Sequence, residues 1–212
     1  MTFDPNFLVT AFVTLFIVMD PIALVPLFIA LTPGMDSAAR RSVAIRACVT
    51  AIGILTLFTL FGEAVLSVTG ISMAAFRIAG GALLFLTALD MLFERRTKRR
   101  EEKTDESVKD QGSAHDPSVF PLGMPLLAGP GAIATVILLA GQNPGAAGTV
   151  LTLLVMVAVT ASALILFLFS GVLEWALGKT GINVVTRLLG MLLAALSVQF
   201  ILEGLREFGF VG

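Results

Sequence analysis

Six stretches of this chain are apolar for about twenty residues or more, and they dictate the solvent in which it folds. They run at about 7–31, 43–66, 72–93, 120–141, 148–170 and 185–208. A helix rises 1.5 Å per residue, so ~20 apolar residues cross a hydrocarbon layer about 30 Å thick. The rest of the composition agrees: 57% of residues are hydrophobic and 14% charged, where soluble domains carry about 25% charged residues. Mean hydropathy is +0.95. The expected fold class is an all-α membrane protein with six transmembrane helices, and the lipid bilayer is its first partner.

Several function classes drop out early. A net charge of −1 supplies no field that would gather nucleic acid. Cys48 and His115, the single residues of their kinds, make no metal signature, and no cofactor is expected. Cys48 reads as a small apolar filler. No nucleophile–base set and no phosphate-binding glycine loop is present, so the chain is not expected to be an enzyme or an ATP-driven pump. Residues 1–6 lack a basic region and include Asp4, so no cleavable signal peptide is expected.

The one long polar stretch runs from Glu94 to Ser118 and mixes both signs of charge without apolar periodicity. It reads as a linker, over 96–118, between a first unit (1–95) and a second (119–212). Lysine and arginine collect on one face. That face has Arg40, Arg41 and Arg46 in the first connection, Arg95, Arg96, Lys98, Arg99, Arg100, Lys103 and Lys109 in the linker, and Lys179 in the fifth connection. The other face has Arg206 alone. The positive-inside bias therefore predicts a cytoplasmic linker and both termini outside, in the periplasm if the membrane is a bacterial inner membrane.

The two units echo one another. Thr69-Gly70-Ile71-Ser72 returns as Thr180-Gly181-Ile182-Asn183, with Glu63 and Glu174 seven residues before each glycine. Arg77-Ile78-Ala79-Gly80 returns as Arg187-Leu188-Leu189-Gly190, and Pro33-Gly34 as Pro144-Gly145. Several echoes in one order, near an offset of 111 residues, point to an internal repeat. Three spans per unit is an odd number, so the repeat predicts a 3+3 inverted topology, as in many secondary transporters.

Two of the spans are broken in the middle. The first holds Asp20-Pro21 and Pro26; the fourth holds Pro125 and Gly129-Pro130-Gly131. Proline lacks the N–H that a helix interior needs, and broken backbone survives in a bilayer only inside protein or beside a polar cavity. Matched breaks at corresponding places predict a midplane site for a small molecule. The N–H groups that start a half-helix suit a carboxylate, and the carbonyls that end one suit an ammonium group or a cation. Asp20, Pro21, Pro26, Gly129, Pro130 and Gly131 are the candidate substrate-binding residues. A mid-membrane carboxylate is expensive and usually functional. Asp20 can hold an ammonium, bind a coupling cation, carry a proton or cap the half-helix that Pro21 begins. Glu63–Arg77 and Glu174–Arg187 are expected as ion pairs or gating contacts, against simple snorkelling of the arginines. Asp90 and Glu203 are expected at the membrane interface, and Gln199 is a secondary polar candidate for bonding a broken backbone.

Taken together, Asp20-Pro21-Ile22 with Pro26, Phe76-Arg77-Ile78-Ala79-Gly80-Gly81, Pro125 to Ile133, and Arg187-Leu188-Leu189-Gly190 with Gln199-Phe200 resemble the signatures of the MarC/SnatA family. The resemblance covers nearly the whole chain apart from the charged linker. It implies a multi-pass inner-membrane protein of the wider LysE-type exporter group. It also implies transport of small neutral amino acids of the glycine and alanine class, coupled to a proton or sodium gradient. The amino-acid site it implies lies at the two breaks. The other readings are an exporter of another small solute or a drug, and a non-transporting scaffold that recruits partners through the linker. A homo-oligomer is compatible with all of them.

Overall fold

A computed structural model describes residues 5–95, 99–100, 117–143 and 145–209; His115, Pro144 and most of the charged linker lie outside them. All regular structure among the described residues is helical: α1 (Pro5–Met19), α2 (Pro21–Leu31), α3 (Ser37–Thr69), α4 (Met73–Leu92), α5 (Ser118–Leu127), α6 (Pro130–Gln142), α7 (Ala146–Leu168) and α8 (Ser170–Glu207). Five spans are long and apolar enough to cross a membrane, counting α1 and α2 as one, and α5 with α6 forms a bent pair that makes a sixth. The chain is an all-helical, multi-pass membrane protein.

Local chemistry explains where the helices begin and end. The Asp36 carboxylate accepts from the Ala39 N–H at 2.7 Å and starts α3. Gly70, at φ 71°, closes α3 in the left-handed region where a Cβ is penalised. The Ser72 hydroxyl then accepts from the Ala75 N–H and starts α4. The echo of this turn in the second unit behaves differently. Helix α8 runs through Thr180-Gly181-Ile182-Asn183, and the break falls upstream at Gly178, φ 58°. The sixth apolar span accordingly starts at Thr180 rather than near 185.

The first span is the most enclosed of the five outside the bent pair. Leu15, Ile17, Met19, Leu24 and Phe28 are fully buried, among Leu55, Leu84, Leu122, Leu138 and Val159 from the surrounding helices. Phe28 stacks on Phe167 with ring centroids 4.8 Å apart. The outer helices expose Val68, Leu154 and Trp175, a surface that lipid covers. Several hydroxyls inside the spans bond back to their own helix, as Thr59 does to the Leu55 carbonyl and Thr160 to that of Met156. No water is available there to take them. Cys48 is buried, with its Sγ 3.8 Å from the Thr160 carbonyl, as expected of a filler.

The most extensive helix contact joins α4 to α8, running antiparallel. Glycines make it close. A Cβ on Gly81 would meet the Ser197 carbonyl at 2.8 Å, one on Gly204 the Ala74 carbonyl at 2.9 Å, and one on Gly190 the Met91 Cβ at 2.9 Å. In lipid, close backbone approach of this kind is a main source of helix association. An ion pair closes each end of the seam: Arg77 Nη1 to Glu207 Oε2 at 3.0 Å, and Arg187 Nη2 to Glu94 Oε1 at 2.8 Å.

These partners correct the expected ones. Arg77 does not take Glu63, nor Arg187 Glu174. Helices α3 and α4 are neighbours in sequence but scarcely touch, and Glu63 points outward, exposed. The arginines face the seam, where Glu207 and Glu94 wait. The Glu207 carboxylate is half exposed, so its pair is weak in the way surface pairs are. Glu207→Gln is expected to change unfolding stability by less than about 1 kcal/mol in detergent titrations.

Candidate functional site

The two breaks differ in form. At the first, Asp20 takes a left-handed backbone (φ 52°, ψ 59°), a conformation that aspartate tolerates better than most residues. Its N–H still bonds the Phe16 carbonyl at 2.8 Å, which ends α1. Pro21 then opens α2 at the first helical position, where its missing N–H is no loss. Pro26 lies within α2, half-buried.

At the second break, α5 is irregular. Phe120 and Met124 are extended, each precedes a cis proline, and the N–H groups of Leu122 and Ala128 reach carbonyls five residues back. The chain turns by 56° into α6. Gly129 precedes Pro130, again at the first helical position. A Cβ on Gly129 would sit 2.8 Å from the Pro125 carbonyl, so the turn admits no larger residue without moving. The first bond of α6 runs from the Ile133 N–H to the Gly129 carbonyl. By helix geometry, the N–H groups of Gly131 and Ala132 have no carbonyl inside the helix to reach.

The breaks meet. A Cβ on Gly131 would lie 3.1 Å from Val18 Cγ1, two residues before Asp20. Beside them opens a cavity of about 350 Å³, bordered by Val18, by Thr87 and Asp90 of α4, by Arg99 and Arg100, and by Pro125 to Leu127 and Gly129 to Ala132 around the second break. Gly129, Pro130 and Gly131 line it directly. Asp20 and Pro21 are buried behind it, and Asp20 has no exposed surface at all.

Asp20 is not the helix cap that was one of its expected roles. Its side chain makes no capping bond, and neither carboxylate oxygen accepts a hydrogen bond. Its partner is Arg100, whose Nη1 lies 3.7 Å from Asp20 Oδ2 and whose Nη2 donates to the Met19 carbonyl at 3.3 Å. Arg99 Nη1 meets Asp90 Oδ2 at 2.7 Å. The expected linker, 96–118, thus loses both arginines to the helical body. A buried carboxylate demands a countercharge, and a chain of cations leaving α4 supplies one. At the other end Ser118, also assigned to the linker, is buried and begins α5.

Gln199 stands apart from both breaks. Its amide donates to Glu203 Oε1 at 2.9 Å, one turn along α8, on an exposed face, because the helix turns that side of α8 away from the bundle. The residues that sequence reasoning missed at the site are Thr87, Arg99 and Arg100. Polar residues at the end of a span look alike in sequence whether they face lipid headgroups or a cavity.

The chain is similar to the UPF0056 membrane protein YvbG of Bacillus subtilis, with 36% identity covering 95% of each protein. It is 36% identical to a UPF0056 membrane protein of Aquifex aeolicus, over 94% of this chain and 92% of the relative. A UPF0056 membrane protein of Archaeoglobus fulgidus is 34% identical, over 95% and 93%. No solved structure matches the chain. The profile described as "MarC family integral membrane protein" matches residues 5–208, and the chain belongs to that family.

Proposed function

We propose that the protein is an ion-coupled secondary transporter of small neutral amino acids of the glycine and alanine class, working by alternating access. One observation carries the reading: two broken spans meet beside a cavity, one presenting a buried carboxylate and the other an open helix N-terminus. The substrate carboxylate sits against the N–H groups of Gly131 and Ala132, where the helix dipole favours negative charge. Its ammonium group turns toward acidic side chains, Asp90 at the cavity wall or Asp20 behind it. A volume of about 350 Å³ lies at the small end of ligand pockets, which run about 300–1,000 Å³. The glycines at 129 and 131 leave no bulky aromatic wall for a large drug.

The seam supports the inverted 3+3 repeat that such transporters use. Arg77, in the second turn of α4, meets Glu207, the last residue of α8, and Arg187, within the span that starts at Thr180, meets Glu94 just past the end of α4. Each broken span resumes with proline at the first helical position. The basic bias toward the linker face supports a cytoplasmic linker and outward termini in a cell membrane. The cavity, bordered by Asp90 and Arg99, then opens inward.

Purified protein in proteoliposomes should move labelled glycine and alanine under a proton or sodium gradient. No flux above empty liposomes for any neutral amino acid rejects the reading. Gly131→Val should narrow the cavity between α6, Val18 and Thr87 and lower flux by about tenfold or more, while folding shifts by about 1–3 kcal/mol at most. Flux unchanged by this substitution would place the substrate elsewhere.

A further inference from the structure

The ion pair at the first break joins partners of different origin. The carboxylate comes from the middle of a span; the guanidinium comes from the charged segment that follows α4. Arg100 is nearly as buried as Asp20, its side chain only 8% exposed. It also borders the cavity, which Asp20 does not. Arg100 therefore stands between the cavity and the carboxylate.

The pair is also loose. At 3.7 Å it is an ion pair without a hydrogen bond, and both Asp20 oxygens go without one. A buried pair that serves stability needs close geometry and further bonds to its remaining lone pairs. This carboxylate has neither, in a left-handed backbone where strain is tolerated mainly when function requires it. The next residue, Arg99, is held by Asp90 at the end of α4 at 2.7 Å. That contact is largely exposed and can yield. Arg99 is thus held at the cavity rim while Arg100 reaches into the break.

We propose that Asp20 is a cation-binding site and that Arg100 is its tethered occupant, a plug that closes the site from the cavity in this conformation. Withdrawal of the Arg100 side chain bares the carboxylate to a primary ammonium or a small coupling cation, and its return expels that cation. Arg100 is thus a positioning and gating residue that acts by competing for one carboxylate. The identity of the incoming ammonium rests on the amino-acid reading above; the plug does not.

The test uses full-length protein in lipid nanodiscs, with Cys48→Ser removing the native thiol and Met19→Cys reporting from the break. Thiol-reactive probes, one positively charged and one neutral, are applied and labelling rates compared. With Arg100 in place, labelling should be slow. Arg100→Ala should accelerate it by about tenfold or more, and more for the charged probe, since an uncompensated carboxylate concentrates cations. Arg100→Lys should keep it slow. Asp20→Asn should also accelerate labelling by releasing the plug, with the preference for the charged probe gone. If Arg100→Ala fails to fold, Asp20→Asn decides alone. Labelling unchanged in the folded variants overturns the plug. Faster labelling without glycine flux in any variant keeps the plug and rejects the amino-acid reading. Glycine flux with unchanged labelling does the reverse.

Discussion

Asparagine in place of Asp20 is expected to destabilise the protein by about 3 kcal/mol or more, the usual result of stripping one partner from a buried ion pair. Arg100 would lose its countercharge and face a neutral amide from a site hidden from water. The loss is tied to the pair, so it should shrink when both charges go. The double variant Asp20→Asn with Arg100→Gln should be more stable than Asp20→Asn alone, a coupling that a double-mutant cycle isolates. Denaturant titration in detergent, followed by tryptophan fluorescence from Trp175, measures it. Losses that simply add would mean that the two side chains do not interact. Flux separates the roles: neither the single nor the double variant should transport, because both lack the carboxylate, even where stability returns.

Leucine at Gly81 should damage the fold by a different route. The added side chain would start 2.8 Å from the Ser197 carbonyl and 2.7 Å from Ile201 Cγ1. A flexible tip can move; a carbonyl in mid-helix cannot without unwinding α8. Overpacking typically costs 1–3 kcal/mol, and about 3 kcal/mol or more is expected where backbone must give way. Gly204→Leu should behave alike, against the Ala74 carbonyl at 2.9 Å. Gly53 on α3 is the control, since a Cβ there meets nothing within 4 Å. Leucine is also the better helix former, so Gly53→Leu should leave stability within about 1 kcal/mol. Equal losses at the three positions would deny the seam any special closeness.

The helix breaks were legible in the sequence because their cause is local. Proline removes a donor and glycine removes a side chain wherever they stand, so Asp20-Pro21 and Gly129-Pro130-Gly131 could be placed without knowing a single neighbour. The arginine partners were not legible. Hydropathy fixes how deep a residue sits but not which way its side chain points around the helix. At the depth of Arg77, Glu63 and Glu207 are equivalent by that measure, and only the packing of α4 on α8 decides between them. Arg100 was hidden for a third reason. A charged run without apolar period reads as solvated linker, and nothing in it signals that one of its cations is wanted by a carboxylate eighty residues earlier. Gln199 failed like Arg77, on the direction of its side chain.

The seam between α4 and α8 has a property that neither helix shows alone. An arginine–glutamate pair stands at each end of it, Arg77 with Glu207 and Arg187 with Glu94, and glycines hold the backbones close between them. With like pairs at opposite ends of an antiparallel contact, the seam within this one chain has the pattern of an isologous interface, the sort that joins two identical subunits across a two-fold axis.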